Sequence, residues 1–104
     1  MAYFRSSETP LAKEGSWTSQ VGMRERHDSI TGAVFADKGG TLHIEQSADG
    51  VHWDVSADYE IESKDGKGFT EELVLPYWRL RYVNGSEAQE EFRISATTQA
   101  GGDS

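Results

Sequence analysis

Thr41–Val55, with the sequence TLHIEQSADGVHWDV, is the stretch that decides the fold class. Apolar residues occupy every second position on both sides of a polar turn: Leu42 and Ile44 before it, and Val51, Trp53 and Val55 after it. This period of two predicts a β-hairpin with one apolar face, and it places Trp53 and Val55 in the core. Ser47, Asp49 and Gly50 fit the turn, because Ser and Asp side chains bond the local backbone and Gly tolerates a positive φ. Such a hairpin needs a second sheet to cover its apolar face.

Length and composition limit the classes of protein. A chain of 104 residues can form one core without covalent staples, and the absence of cysteine removes disulfides, Cys-based zinc sites and thiol catalysis. The formal charge of -8 repels a phosphate backbone, so nucleic acid is not an expected partner. No apolar run approaches the roughly 18 residues that span a membrane, and the amino terminus lacks the layout of a signal peptide. We expect an unprocessed protein that does not bind a membrane.

Turn residues separate short alternating segments along the chain. We predict strands at 16–23, at 29–37, within 41–55, and at 59–61, 69–75, 77–83 and 92–96. About eight short strands with no helical stripe favour an antiparallel β-sandwich that is jelly-roll-like, with an immunoglobulin-like sandwich as the alternative. The polar, Pro-containing start predicts an amino-terminal arm at 1–14, followed by the sandwich domain at 15–98 and a flexible tail at 99–104.

Two groups of polar residues are candidates for chemical sites. The carboxylates from Asp49 to Asp65 could hold calcium, but they lack the spacing of a calcium loop, so a solvated acidic face is favoured. His27, His43 and His52 lack a third ligand at a metal-like spacing and are read as surface residues. There is also no Gly-x-Ser-x-Gly elbow and no phosphate-binding glycine loop. We therefore predict no enzyme, with no catalytic, cofactor-binding or metal-binding residues.

The aromatic residues suggest an alternative function. Trp53, Trp78 and Tyr82 are in register with aliphatic residues and are assigned to the core. Trp17 and Tyr77 are then the candidates for an exposed platform that stacks on sugar rings. The alternative is therefore a carbohydrate-binding module that binds a glycan through these two residues.

Residues 29–97 are similar to small structural proteins of tailed bacteriophages. The similarity rests on GAVFAD at 32–37, GTLHIEQS at 40–47, Gly68-Phe69, Pro76-Tyr77, Arg79, RYVNG at 81–85 and Phe92-Arg93. It implies a β-sandwich virion protein: a capsid decoration (cement) protein on the outer head surface, or a tail or baseplate accessory. Residues 42–53 and 78–83 show a weaker resemblance to discoidin-type jelly-roll domains. Those domains are longer and usually carry a disulfide, so their ligand binding is not expected of this chain.

The phage resemblance implies a location in the virion, after synthesis in the host cytoplasm, and protein partners. The expected partners are the major capsid protein or other virion proteins, together with further copies of the chain, for which a trimer fits a local three-fold axis. An arm that adds a strand to a neighbour or wraps around it would make these contacts. The predicted contact residues are Tyr3, Phe4, Arg5, Pro10 and Leu11.

Overall fold

The computed structural model describes the backbone of residues 4–100 and the side chains of residues 5–99. Within this range the chain forms nine strands and no helix: β1 (Phe4–Ser7), β2 (Ser16–Thr18), β3 (Gly22–Met23), β4 (His27–Ala36), β5 (Gly40–Ser47), β6 (Val55–Ile61), β7 (Asp65–Glu72), β8 (Tyr77–Asn84) and β9 (Phe92–Ala100). Accordingly, no helix that could cross a membrane occurs in the described part of the chain.

The strands form two antiparallel sheets that pack face to face. The four-stranded sheet has the order β1-β9-β4-β7, and the five-stranded sheet has the order β2-β8-β5-β6, with β3 also paired to β8. When β2 and β3 are counted as one interrupted strand, successive strands alternate between the sheets except for β5 and β6, which form a hairpin within the five-stranded sheet, as in a jelly roll. The predicted all-β sandwich is therefore confirmed, and the connectivity favours the jelly roll over the immunoglobulin-like alternative.

Strict alternation builds the core between the two sheets. In β8, Trp78, Leu80 and Tyr82 are fully buried, whereas the residues between them are half-buried. Side chains at alternate positions of the neighbouring strands complete the core: Leu42 and Ile44 from β5, Ile30, Val34 and Ala36 from β4, and Phe92, Ile94 and Ala96 from β9. Each fully buried aliphatic or aromatic side chain contributes about 1.5 to 3 kcal/mol of transfer free energy, so the sheets are held together mainly by this layer.

The loop between β5 and β6 corrects one expectation from the sequence. Val51 and Val55 are 71% and 41% exposed, and Trp53 is half-buried outside the core, so this segment does not form an inward-facing strand. Asp49 Oδ1 accepts hydrogen bonds from the backbone N–H groups of Val51 and His52, both at 2.8 Å, and bends residues 49–52 into a turn. The second strand of the hairpin therefore begins only at Val55. Gly50, in the same turn, has the predicted positive φ, at 80°.

The segment predicted as an arm lies along the sandwich over its described part. β1 is an edge strand of the four-stranded sheet and pairs with β9, from Phe4 opposite Thr97 to Ser7 opposite Ile94. Leu11 packs against the core, and its N–H donates to Gln89 Oε1 at 2.8 Å. At the other end of the chain, β9 extends into the predicted tail. The boundaries at 14 and 98, and the use of residues 1–14 as an arm toward another subunit, stay predictions.

The loops 24–26, 48–54 and 73–76 meet at one end of the sandwich, here called the loop pole. Gln46, which is 4% exposed, lies at this end of β5 and joins the sheets. Its Nε2 donates to the Glu72 carbonyl at 2.9 Å, and its Oε1 accepts from the N–H groups of Val74 at 2.8 Å and Leu75 at 3.1 Å. A buried amide with its donor and acceptor both used holds the 73–76 loop in one position.

Candidate functional site: a groove on the four-stranded sheet

A groove of about 760 Å³ lies on the outer face of the four-stranded sheet. Its floor is a row of small residues that neighbour one another across the four strands: Ser6, Ser95, Ala33 and Gly68. Phe35, two residues after Ala33 on the same face of β4, borders this floor. The volume is that of a cleft that can hold part of a small molecule, a glycan or a protein loop.

The groove combines an aromatic ring, hydroxyl groups and one guanidinium group. The Arg93 guanidinium carbon lies 4.6 Å from the centroid of the Phe35 ring, and Arg93 also pairs with Glu91. A cation stacked on a ring is worth about 0.5 to 1 kcal/mol at an exposed site, so Phe35 and Arg93 fix each other's orientation. Ser6 and Ser95 bring hydroxyl groups that can donate and accept. Together these groups can stack on and hydrogen-bond a molecule in the groove.

Sequence reasoning did not select Phe35 or Arg93 as site residues. The alternation of β4 could have indicated Phe35, because Val34 and Ala36 on either side of it are buried and the side chain of Phe35 therefore lies on the outer face. What the sequence did not show is that β9 and β7 bring Arg93 and Gly66 to the two sides of Phe35. The groove therefore depends on strand order, which a single sequence does not reveal.

None of the predicted contact residues that the structure describes is among those that line this groove. Arg5 is on β1 but on the inner side, where its Nε donates to the Gln20 carbonyl at 3.2 Å and its guanidinium lies 5.5 Å from the Trp78 ring centroid. Pro10 is exposed, and Leu11 is half-buried against the core. Phe4 begins β1, while its side chain and all of Tyr3 lie outside the described residues. Part of the groove wall comes from the same segment, at residues 6–8.

The two predicted platform residues are placed apart. Trp17 on β2 lies opposite Tyr82 and packs against the core, whereas Tyr77 begins β8 opposite Met23. Five positions of β8 separate the two sites, which corresponds to roughly 17 Å along a strand. Tyr77 and Trp17 also fall on opposite faces of the sheet, since Tyr82 faces the core. Each is half-buried, and the structure does not bring them together in one platform.

A charged cluster occupies the outer face of the five-stranded sheet. The Glu45 side chain is only 8% exposed and accepts from Arg79 Nε at 2.6 Å and from Arg81 Nε at 3.1 Å. The Arg79 guanidinium in turn lies 4.3 Å from the Trp53 ring centroid. Trp53, which the sequence placed in the core, therefore covers an ion pair on the outside. One carboxylate that holds two guanidinium groups orders this part of the face and leaves the cluster with one net positive charge.

Two histidine–aspartate pairs flank this cluster. His43 Nδ1 is 2.6 Å from Asp58, and the hydroxyl of Ser56 followed by His43 lowers the pKa of that carboxyl. His52 Nδ1 is 2.7 Å from Asp49, and the hydrogen bond with Asp49 raises the pKa of His52. Within the described range, no three histidine or acidic side chains are grouped so as to hold a metal ion. The pairs shape the surface and hold the turn that follows β5.

Comparison with known proteins places the chain in a family. Residues 2–99 match the family described as the N-terminal domain of the uncharacterised protein YqxG. The chain belongs to this family. It is also 34% identical over 74 residues to uncharacterised protein YqxG of Bacillus subtilis strain 168, a match that covers 69% of this chain and 25% of that protein.

Solved structures extend the comparison. The crystal structure of the PBSX exported protein XepA is similar with a TM-score of 0.87 and 26% identity, over 97% of this chain and 37% of that chain. A structure of Bacillus endospore appendages, described as disulfide-linked pili, has a TM-score of 0.61 and 12% identity, over 97% of this chain and 88% of that chain. The second likeness shows the fold alone. The chain thus spans a quarter of YqxG and little more than a third of XepA.

Proposed function

We propose that this chain is a non-enzymatic structural component of a tailed-phage particle, bound to the outer head surface as a decoration protein. The observation that carries the proposal is the likeness to XepA over nearly the whole domain, since XepA is an exported protein of PBSX. The sequence resemblance to phage structural proteins points the same way. In this function the chain acts by binding other virion proteins and further copies of itself, as a homo-oligomer for which we propose a trimer.

The geometry supports a binding function. The groove has a rigid floor, because it is built on the two central strands β4 and β9 together with β1 and β7. Its floor carries small uncharged residues, and its lining also includes Phe35 and the charged residues Glu8, Lys67 and Arg93. An uncharged centre accompanied by polar and charged residues is typical of a protein interface. Residues 6–8, which lie between the predicted contact residues Arg5 and Pro10, line the groove, so the groove reaches the predicted amino-terminal contact segment.

Quantitative mass spectrometry of purified particles tests the function itself. Hundreds of copies in each particle are expected for a head decoration protein, whereas a few dozen copies or fewer would move the chain to the tail. Absence from particles that assemble in cells expressing the chain would overturn the proposal. Sedimentation of the purified chain measures the oligomeric state, and a monomer at all concentrations would refute the trimer.

A matched pair of substitutions tests the groove as the contact surface. Ala33 and Ala88 are both exposed, but only Ala33 is on the groove floor. Ala33→Arg should reduce occupancy on particles by at least about tenfold, because an arginine fills the groove, and Ala88→Arg should leave occupancy unchanged. Equal occupancy of both variants, with unchanged melting temperatures, would remove the groove from the contact while leaving the function open to the particle count.

The second candidate function is a carbohydrate-binding module. The observation that favours it is the half-buried Phe35 ring in a groove with hydroxyl and guanidinium groups, which can stack on and hydrogen-bond a sugar. It predicts saturable binding on a glycan array that weakens in Phe35→Ala. The aromatic platform proposed from the sequence predicts instead a loss in Trp17→Ala or Tyr77→Ala. No binding to any glycan would reject both versions.

A further inference from the structure

The exposed large apolar side chains collect at one end of the molecule. Among residues 5–99 they are Val21, Met23, Val51, Val55 and Val74, with exposures of 46%, 47%, 71%, 41% and 57%. Scattered apolar residues are normal on a protein surface, but a collection at one end indicates an interaction site. The outer face of the four-stranded sheet and the far end of the sandwich contribute none of these five.

Strand register and local contacts place four of these residues at the loop pole, and Val21 lies two residues before Met23. Met23 is opposite Tyr77, the first residue of β8, and Val55, the first residue of β6, is opposite Gln46. The N–H of Val74 bonds the side chain of the same glutamine. Val51 follows Gly50, which lies against the Tyr77 ring, with 3.7 Å between the ring and the position of a Cβ at that glycine.

The loop pole is held rigid before any partner binds. Ser47 Oγ accepts from the backbone N–H of Gly50 at 2.8 Å, and Arg24 Nε donates to the Leu73 carbonyl at 2.6 Å. The Leu73 N–H in turn donates to the Asp28 carbonyl at 2.8 Å. These bonds, with those of the buried Gln46 amide, tie the 24–26 and 73–76 loops together and close the turn of the 48–54 loop, so the apolar side chains project from a surface that needs little ordering on binding.

The carboxyl-terminal strand ends at the same pole. Ala100, the last residue of β9, is opposite His27, which follows the 24–26 loop directly. The family is an N-terminal domain, and this chain covers only 25% of YqxG, so in that relative further chain follows the domain. That further chain starts beside the loop pole.

Charge around the pole defines the partner further. Five carboxylates lie in or next to its loops, against two arginines, Arg24 and Arg26: the carboxylates are Glu25, Asp28, Asp49, Asp54 and Glu72. A second copy of the chain or an anionic membrane would meet like charge here, whereas a surface with a basic rim would meet opposite charge.

We propose that the loop pole is a docking surface for a protein domain with an apolar centre and a basic rim, and that in longer family members the domain that follows in sequence occupies it. The inference rests on the fold and the family and is independent of the phage role. It adds to the groove a second, separate contact surface at right angles to the sheet face.

A cysteine-accessibility experiment tests the proposal, because the chain contains no cysteine of its own. The chain is compared alone and as the amino-terminal domain of full-length YqxG, with any cysteine of the YqxG part replaced by serine. Maleimide labelling of Val51→Cys and of Val74→Cys should be at least about tenfold slower in the full-length chimera, since docking buries both positions. Ser63→Cys, exposed at the opposite end, should label equally fast in both, which also reports that the chimera is folded.

The other occupants predict different results. Equal labelling rates at Val51→Cys in both proteins would overturn the proposal. Flotation of the chain alone with vesicles of equal phosphatidylcholine and phosphatidylglycerol, lost in Val51→Lys, would replace it with a membrane surface. Concentration-dependent sedimentation that Val51→Lys abolishes would replace it with self-association. A chimera in which Val51→Lys with Val74→Lys restores fast labelling at a third pole position, Met23→Cys, would support docking.

Discussion

Replacement of Tyr82 by phenylalanine should stabilise this protein, although most core substitutions destabilise. Tyr82 is fully buried, and its hydroxyl has no hydrogen-bond partner among the described residues. Burial alone raises the pKa of Tyr82 to about 12. The ring packs against Phe92 with 4.8 Å between centroids, and Tyr82→Phe keeps that contact.

The size of the effect follows from the cost of burying a polar group. An unpaired buried hydroxyl costs roughly 1 to 3 kcal/mol, and removing it recovers part of that cost, so we expect a gain of about 1 kcal/mol. For a domain of this length, about 1 kcal/mol corresponds to a rise of roughly 4 °C or more in the melting temperature. Tyr59→Phe is the matched control, because the Tyr59 hydroxyl donates to Glu71 at 2.5 Å and its loss should be destabilising or neutral.

Thermal and urea unfolding of the wild type and both variants provide the measurement. The expected order of unfolding free energy is Tyr82→Phe above wild type, and wild type at or above Tyr59→Phe. A loss of about 1 kcal/mol or more in Tyr82→Phe would refute the reasoning, because it would mean that the hydroxyl is satisfied in solution.

Three further outcomes are expected. Gly32→Ala should lower the free energy of urea unfolding by about 2 kcal/mol, because the new Cβ would lie 2.1 Å from a backbone carbonyl oxygen. Gly66→Ala is the control, since a Cβ there has no atom within 4 Å and should change stability by less than about 1 kcal/mol. Equal effects of the two substitutions would contradict the close packing of β4 against β9 at Gly32. Glu45→Gln should cost about 1 to 2 kcal/mol, less than a fully buried pair because its two arginines are partly exposed, and a neutral result would show that the cluster adds no stability. The pKa of His52 is raised by its hydrogen bond with Asp49, so the stabilisation from this pair is complete below about pH 6.5 and is lost as the pH rises through the pKa of the folded state. The melting temperature of the wild type should therefore fall slightly between about pH 6 and 8, and this fall should be smaller in His52→Asn. An unchanged slope would show that this pair does not cause the pH dependence.

Periodicity in the sequence was sufficient for the sandwich but not for every strand end. The alternation of Trp78, Leu80 and Tyr82 predicted both the strand and its buried face, because the pleat sends successive side chains to opposite sides. The same rule failed at Trp53, because the Asp49 carboxylate bonds the following N–H groups and makes a turn where alternation alone suggested a strand. Local hydrogen bonds of an Asp side chain therefore overrode a three-residue apolar pattern.

The surfaces were less predictable than the core. The groove needs Ser6, Ser95, Ala33 and Gly68 side by side, although they come from four strands that are far apart in the sequence. Trp17 and Tyr77 were predicted to form one aromatic platform, but the register along β8 places them far apart. Strand order decides which residues meet, and this order depends on long-range packing.

The neighbouring positions of β1 and β9 also set how the domain resists force. The two strands are antiparallel and adjacent, so Phe4 and Ala100, near the two ends of the chain, lie at the same pole. Tension applied between the ends would separate the β1–β9 pairs one after another, as a zipper opens, and would not load all of their hydrogen bonds together. If the domain were attached to a particle through both chain ends, a small pulling force would therefore release β1 from β9. If it were attached through its sheet faces, the same force would not act on the β1–β9 pair in this way.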